Sequence, residues 1–215
     1  MPALRIDVWS DLACPWCYIG KRRLDAALAQ AGLADGVELV WRAFELDPTA
    51  PAVRDDGLTP AQRLAAKYRR SEAEAEAMIA NVTRVAAGDG LAFEIARSRG
   101  GNTFDAHRVV KLAATHGRAT AAKERLFAAY FGEGRALGDR ATLGELAAEL
   151  GLDAGEVAAT LAGDRFADEV RADQRLAREL GISGVPFFVF DQRLAVSGAQ
   201  PVAALVGALA QATAG

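Results

Sequence analysis

Cys14 and Cys17 are the only cysteines of this 215-residue chain, and Pro15 and Trp16 separate them. Two thiols at this spacing can exchange a disulfide: one attacks, and the other displaces the partner so captured. The flanking residues give the pair its setting. Leu4 to Trp9 alternates like a strand, and Lys21 to Leu28 follows a helical pattern that ends near Gly32. The dithiol therefore falls between a strand and a helix N-terminus, where unpaired N–H groups and the positive end of the dipole favour a thiolate. Cys14 takes the N-cap, Pro15 the first helical position, where its missing N–H costs nothing, and Cys17 lies one turn further in. Two other readings compete. Half of a zinc site would need two more ligands, which only His107 and His116 could supply, and their offset along one helix does not bring them together. Two inert buried thiols are the second, and the strand-to-helix placement argues against it.

The elements that must hold this pair follow in order. Val37 to Phe44 reads as a second strand, ended by Asp47-Pro48, Pro51 and Gly57. From Thr59-Pro60 to Leu180 the pattern is almost wholly helical. Ser71 with Glu74 forms a capping box, Asp153 with Glu156 a similar start, and Thr103 is positioned to cap a helix from Phe104 to about His116. Further helices are predicted over 119–131, 141–150 and 166–180. Strand character returns at Pro186 to Phe190 and Arg193 to Val196, close enough for a hairpin, and Pro201 opens a last helix from Val202 to about Ala210. The fold class is α/β. Residues 1–58 and 166–215 are expected to build one small sheet domain, and 59–165 an all-helical insertion.

Composition narrows the function. About half the residues are hydrophobic, enough to bury a core without disulfides, and 25 basic against 28 acidic residues leave a net charge of −3 with no basic block to track a phosphate backbone. Nucleic acid is excluded as an expected partner. The start, Met1 to Asp7, carries an acid within its first apolar run and lacks a basic leader, so it does not read as a signal peptide. No stretch approaches the ~20 apolar residues that cross a bilayer. The expectation is a soluble, cytoplasmic protein whose dithiol rests reduced.

Gly184-Val185-Pro186-Phe187-Phe188-Val189-Phe190 is weak alone, since proline is tolerated at the start of a strand. Together with Cys14-Pro15-Trp16-Cys17 it resembles the thioredoxin fold, in which a cis-proline loop faces the dithiol. Three further stretches resemble the DsbA-like branch and, within it, the FrnE-type oxidoreductases: Tyr18-Ile19-Gly20-Lys21-Arg22, Trp41 through Pro48, and Gly101 through Arg108. The resemblance implies that Cys14 is the exposed nucleophile, Cys17 the resolving thiol and Pro186 the cis residue. It also implies that the Val185 backbone pairs with an extended substrate or with glutathione, a form of strand addition, and that Asn102, His107 and Arg108 begin a helix near the cleft. Asn102 and His107 are candidate substrate contacts there, against a plainer reading as surface or packing groups. Trp9 and Trp41, in strands, are expected in the core, while Trp16 is expected exposed as part of a substrate surface.

The reading is a thiol-disulfide oxidoreductase acting on protein or small-molecule disulfides, with no metal or bound organic cofactor and with glutathione as a candidate redox partner. The alternative is a glutathione-dependent transferase or isomerase of the kappa-class or 2-hydroxychromene-2-carboxylate isomerase type, whose members usually carry serine at the position of Cys14. A third is a binding module whose cleft matters more than its thiols.

Overall fold

The computed structural model describes residues 4–34 and 36–214. Residues 1–3, on which the reading of the chain's start partly rests, lie outside them, as do Asp35 and Gly215. Leu4–Ser10 forms β1, Pro15–Gln30 α1 and Val37–Ala43 β2. β2 runs parallel to β1, with Leu4 opposite Val37 and Ser10 opposite Ala43. A helical run follows: α2 (Pro60–Tyr68), α3 (Glu72–Gly88), a short 3₁₀ turn (Ile95–Arg97), α4 (Phe104–Thr115), α5 (Ala119–Phe131), α6 (Arg140–Glu149), α7 (Ala154–Ala162) and α8 (Ala167–Glu179). The chain then returns to the sheet as β3 (Phe187–Phe190) and β4 (Leu194–Ser197) and closes with α9 (Val202–Thr213). Among the described residues the sheet order is β2-β1-β3-β4, and β3 is antiparallel to both its neighbours.

Local chemistry explains most of these boundaries. Thr59 with Gln62 and Ser71 with Glu74 make reciprocal capping boxes at the starts of α2 and α3, and Asp153 accepts from the Glu156 N–H at the start of α7. Thr103 corrects an expectation. It stands at the N-cap of α4, but its hydroxyl donates to Asp11 in the loop before α1, and Asn102 Oδ1 takes the Phe104 N–H instead. The β3–β4 hairpin turns through Asp191 and Gln192, both left-handed at φ 48° and 58°, as the turns that match strand twist require.

β1 and β3 supply the buried middle of the sheet, with Ile6, Val8, Phe188 and Phe190 in one cluster with Leu24 of α1, Leu112 of α4, Leu126 and Phe127 of α5, and Leu205 of α9. Trp41 joins that cluster and Trp9 packs with Ala177 and Ile182, so both tryptophans are in the core as expected. α8 is fastened to the sheet by the buried Asp173. Its carboxylate accepts from Arg42 Nη1 (2.9 Å) and the Ala43 N–H (2.9 Å) and pairs with Lys111 Nζ (2.5 Å), while its carbonyl takes the Trp9 indole N–H.

Candidate active site

The end of β1 delivers the dithiol. The Cys14 N–H donates to the Asp11 carbonyl at 3.1 Å and the Cys17 N–H to the Cys14 carbonyl at 3.0 Å, so the chain enters α1 through a tight turn. Cys14 occupies the N-cap in an extended conformation (φ −95°, ψ 113°), with Pro15 in the first helical turn. Asp11 holds the turn from within. Its carboxylate accepts from the Ala13 N–H (3.2 Å), the Leu46 N–H (2.7 Å) and Thr103 Oγ1 (2.9 Å), with His107 Nε2 at 3.8 Å. Burial pulls this carboxyl upward, but His107 and the backbone donors outweigh it and keep the group below the usual aspartate range.

Opposite the thiols stands the loop before β3. The Val185–Pro186 peptide is cis, and the Cys14 thiol donates to the Val185 carbonyl at 3.6 Å. Gly20, one turn beyond Cys17 in α1, makes this approach feasible: a Cβ there would lie 2.8 Å from Pro186 Cγ and 3.2 Å from Phe188 Cζ. Cys14 was expected to be the exposed thiol, and the structure corrects this. It retains only 5% of its accessible surface, because the N-cap backs onto the Val185 loop, yet it is more open than Cys17 at 1%. Both cysteines are free. Burial pushes the Cys17 thiol well above its ordinary value; its hydrogen bond to Cys14 and the Cys14 charge add to this, and Lys123 opposes it. Cys17 is thus held in its protonated form by burial.

The other expected site residues divide. Trp16, 38% exposed between the cysteines, faces outward, and Val185 is half-buried beside Cys14. Pro186 is buried against Gly20. Asn102 is partly buried, and its amide is committed internally, donating to Glu45 Oε1 and the Pro48 carbonyl and accepting from Phe104. His107 is 2% exposed, with Nε2 against the Phe44 carbonyl at 3.2 Å. Expected as substrate contacts, these two instead brace the Asp11 turn and the segment after β2 from inside. Arg108 reaches away from the dithiol to carbonyls of Thr160, Gly163 and Arg165. His116 pairs with Glu156 at 2.8 Å, so the two histidines are engaged at separate places. Among the described residues no group of three or more His, Cys, Asp or Glu is arranged to hold a metal.

Sequence reasoning missed Asp11 and Lys123. Asp11 left no signal beyond standing three residues before Cys14. Lys123 did: on α5 it shares a stripe with Ala119, Ala122, Leu126, Phe127 and Tyr130, a helical period that puts a lysine on the buried face.

Comparison with known proteins agrees with this geometry. Residues 5–210 match the model of the DSBA-like thioredoxin domain family, and the chain belongs to that family. The fold is the DsbA-like thioredoxin fold expected from the sequence. Among individual proteins, the probable DsbA oxidoreductase SCO1869 of Streptomyces coelicolor is 46% identical, with 98% of this chain and 90% of that one covered at a TM-score of 0.91. The uncharacterized protein YwbO of Bacillus subtilis (strain 168) is 29% identical over 191 residues, 86% of each chain. The cytosolic disulfide reductase DsbM of Pseudomonas aeruginosa, at 20% identity, shares the fold over 98% of this chain and 100% of its own with a TM-score of 0.67, and a further structure of it contains GSH. No helix among the described residues is long and apolar enough to cross a membrane.

Proposed function

We propose that the chain is a thiol-disulfide oxidoreductase working through Cys14 and Cys17 on protein or small-molecule disulfides. The observation that carries the reading is the Cys14 thiol at the N-cap of α1 in contact with the Val185 carbonyl, with Cys17 protonated one turn deeper. In the reducing direction the Cys14 thiolate attacks one sulfur of a substrate disulfide. A mixed disulfide forms and the other sulfur leaves as a thiolate. Cys17 loses its proton and attacks Cys14 Sγ, the internal bridge closes, and the second substrate sulfur leaves. The substrate gains two electrons that the dithiol loses, and the two thiol protons go to the two leaving thiolates through solvent. A low-molecular-weight thiol such as glutathione then reopens the bridge by the reverse exchange. Trp16 and the Val185 backbone form the substrate surface, the latter by main-chain pairing once the Cys14 contact opens. A reducing, cytosolic setting fits this direction, and the fold likeness to a cytosolic disulfide reductase supports it.

Mass spectrometry after exposure to oxidised glutathione and to a model disulfide protein tests the reading. Cys17→Ser should accumulate covalent adducts on Cys14, and Cys14→Ser should form none. Absence of adducts on Cys17→Ser, with glutathione conjugation to a small electrophile undiminished, would overturn it in favour of a transferase.

A further inference from the structure

Lys123 lies outside the Cys14–Cys17 pair, yet its placement is unusual. It is 1% exposed, with Nζ 5.5 Å from the Trp41 ring centroid and 4.9 Å from that of Phe127. The Phe127 ring stacks on that of Tyr18 at 4.9 Å and 9°, and Tyr18 directly follows Cys17. Cys17, Tyr18, Trp41 and Phe127 belong to one buried cluster, and the Tyr18 hydroxyl donates to Glu124, the residue after Lys123, so the lysine enters from α5 the compartment whose α1 wall carries the inner thiol. Nζ forms no ion pair with a carboxylate among the described residues; its charge is met by aromatic faces instead. A cation so placed is costly unless opposite charge, hydrogen bonds or aromatic faces offset its lost hydration. The ionisable groups whose charge acts on it are Cys17, Asp11 and Cys14, which favour the ammonium, and Lys111, which opposes it.

We propose, resting on the oxidoreductase reading, that Lys123 is a positioning residue for resolution: its buried ammonium supplies the positive charge that stabilises the Cys17 thiolate while it attacks Cys14. Lys123 keeps its proton during the step. The Cys17 proton leaves to solvent, the new S–S bond forms, the Cys14–substrate S–S bond breaks, and the departing thiolate takes a proton from water. The outer thiol stands at the helix N-terminus, whereas the enclosed Cys17 has this charge and a hydrogen bond with the Asp11 backbone set against its burial. Desolvation lowers Lys123 to about 8, partly offset by Cys17 and Asp11, so the charge is present at neutral pH and fades above it.

Stopped-flow and quenched mass spectrometry with oxidised glutathione separate the two steps: attack in the Cys17→Ser background, resolution in the intact dithiol. Lys123→Met keeps the stem and removes the charge. Each unit by which the Cys17 pKa rises cuts its thiolate about tenfold and raises its nucleophilicity roughly threefold, so resolution should slow about three- to fourfold per unit. Attack should change less. The ratio of wild-type to variant resolution should shrink as pH climbs past 8, and Lys123→Arg should restore part of the rate. Equal resolution rates at pH 7, or a ratio independent of pH, overturn the proposal while leaving the oxidoreductase reading intact. If no glutathione adduct forms on Cys14 in the Cys17→Ser background, the reading fails and the proposal with it. Should Lys123→Met not fold, NMR titration of the Lys123 ε-carbon in the glutathionylated Cys17→Ser protein decides: a charged amine at pH 7 supports the role, a neutral one sinks it.

Discussion

At the scale of single residues, the chemistry depends on groups that never meet substrate. Asp11 gathers three donors from three segments, so its removal strands the Leu46 and Ala13 N–H groups and the Thr103 hydroxyl. Asp11→Asn keeps the shape and loses the charge, and should cost about 1–3 kcal/mol at pH 7. Because the folded protein holds this carboxyl below its ordinary value, the stabilisation is complete above the unfolded aspartate range, near pH ~4, and is lost as pH falls through the depressed value. Urea midpoints of the two proteins should therefore converge as pH drops below that range, since all other carboxylates titrate in both. A gap that stays constant to pH 2 would mean that the charge of Asp11 does not matter. Cys17 has the opposite sign. Its thiol is raised by burial, so resolution by the wild-type protein should keep accelerating beyond the pH at which a free cysteine is fully ionised. A plateau below pH 9 in rapid-quench measurements of mixed-disulfide release would contradict this.

At the scale of elements, the approach of α1 to the Val185–Pro186 loop rests on Gly20. A methyl group there would stand 2.8 Å from Pro186 Cγ, so Gly20→Ala should cost about 1–3 kcal/mol and loosen the Cys14–Val185 contact. Thermal melts together with the rate of Cys14 alkylation check this; unchanged values in both would show that the loop gives way freely. Asp173 does the corresponding work for α8. Asp173→Ala leaves Arg42 and Lys111 facing each other without their shared carboxylate, a loss of about 3–5 kcal/mol readable in urea denaturation. These close approaches explain what the sequence could and could not disclose. Strand alternation, capping boxes and the placement of the dithiol are local patterns, and β1, α1, α3 and the β3–β4 hairpin follow from them. The pairing of Cys14 with Val185 spans 171 residues and was legible only through resemblance to a fold. Thr103 looked like a cap because the pattern records its neighbours in the chain, whereas Asp11 on another segment claims its hydroxyl. Asn102 and His107 stand near the site as expected, but nothing in a sequence tells a side chain facing a cleft from one bracing it beneath.

At the scale of the whole molecule, the issue is whether the sheet and the helical run are separable. The order of elements suggests two units, with the sheet interrupted between β2 and α8. The packing joins them. One buried cluster takes in Ile6 and Val8 of β1, both cysteines, Trp41 of β2, Leu126 and Phe127 of α5, Leu143 of α6 and Val157 of α7 without a break. Polar contacts cross in the same places: Glu124 of α5 accepts from Tyr18 (2.6 Å) and pairs with Lys21 (2.7 Å) of α1, and the Trp41 indole donates to Thr120 at 2.9 Å. If a boundary were real in the energetic sense, the helices could melt while the sheet stayed folded. With the shared cluster that route would expose the cores of both at once, so unfolding should be one cooperative transition. Tryptophan fluorescence is dominated by the sheet, where Trp9 and Trp41 lie, while far-UV circular dichroism is dominated by the helices. In urea the two curves should superimpose with a common midpoint. An early helical transition that leaves the fluorescence native would show two independently folding units and would detach Lys123 and the Thr103 partner of Asp11 from the dithiol.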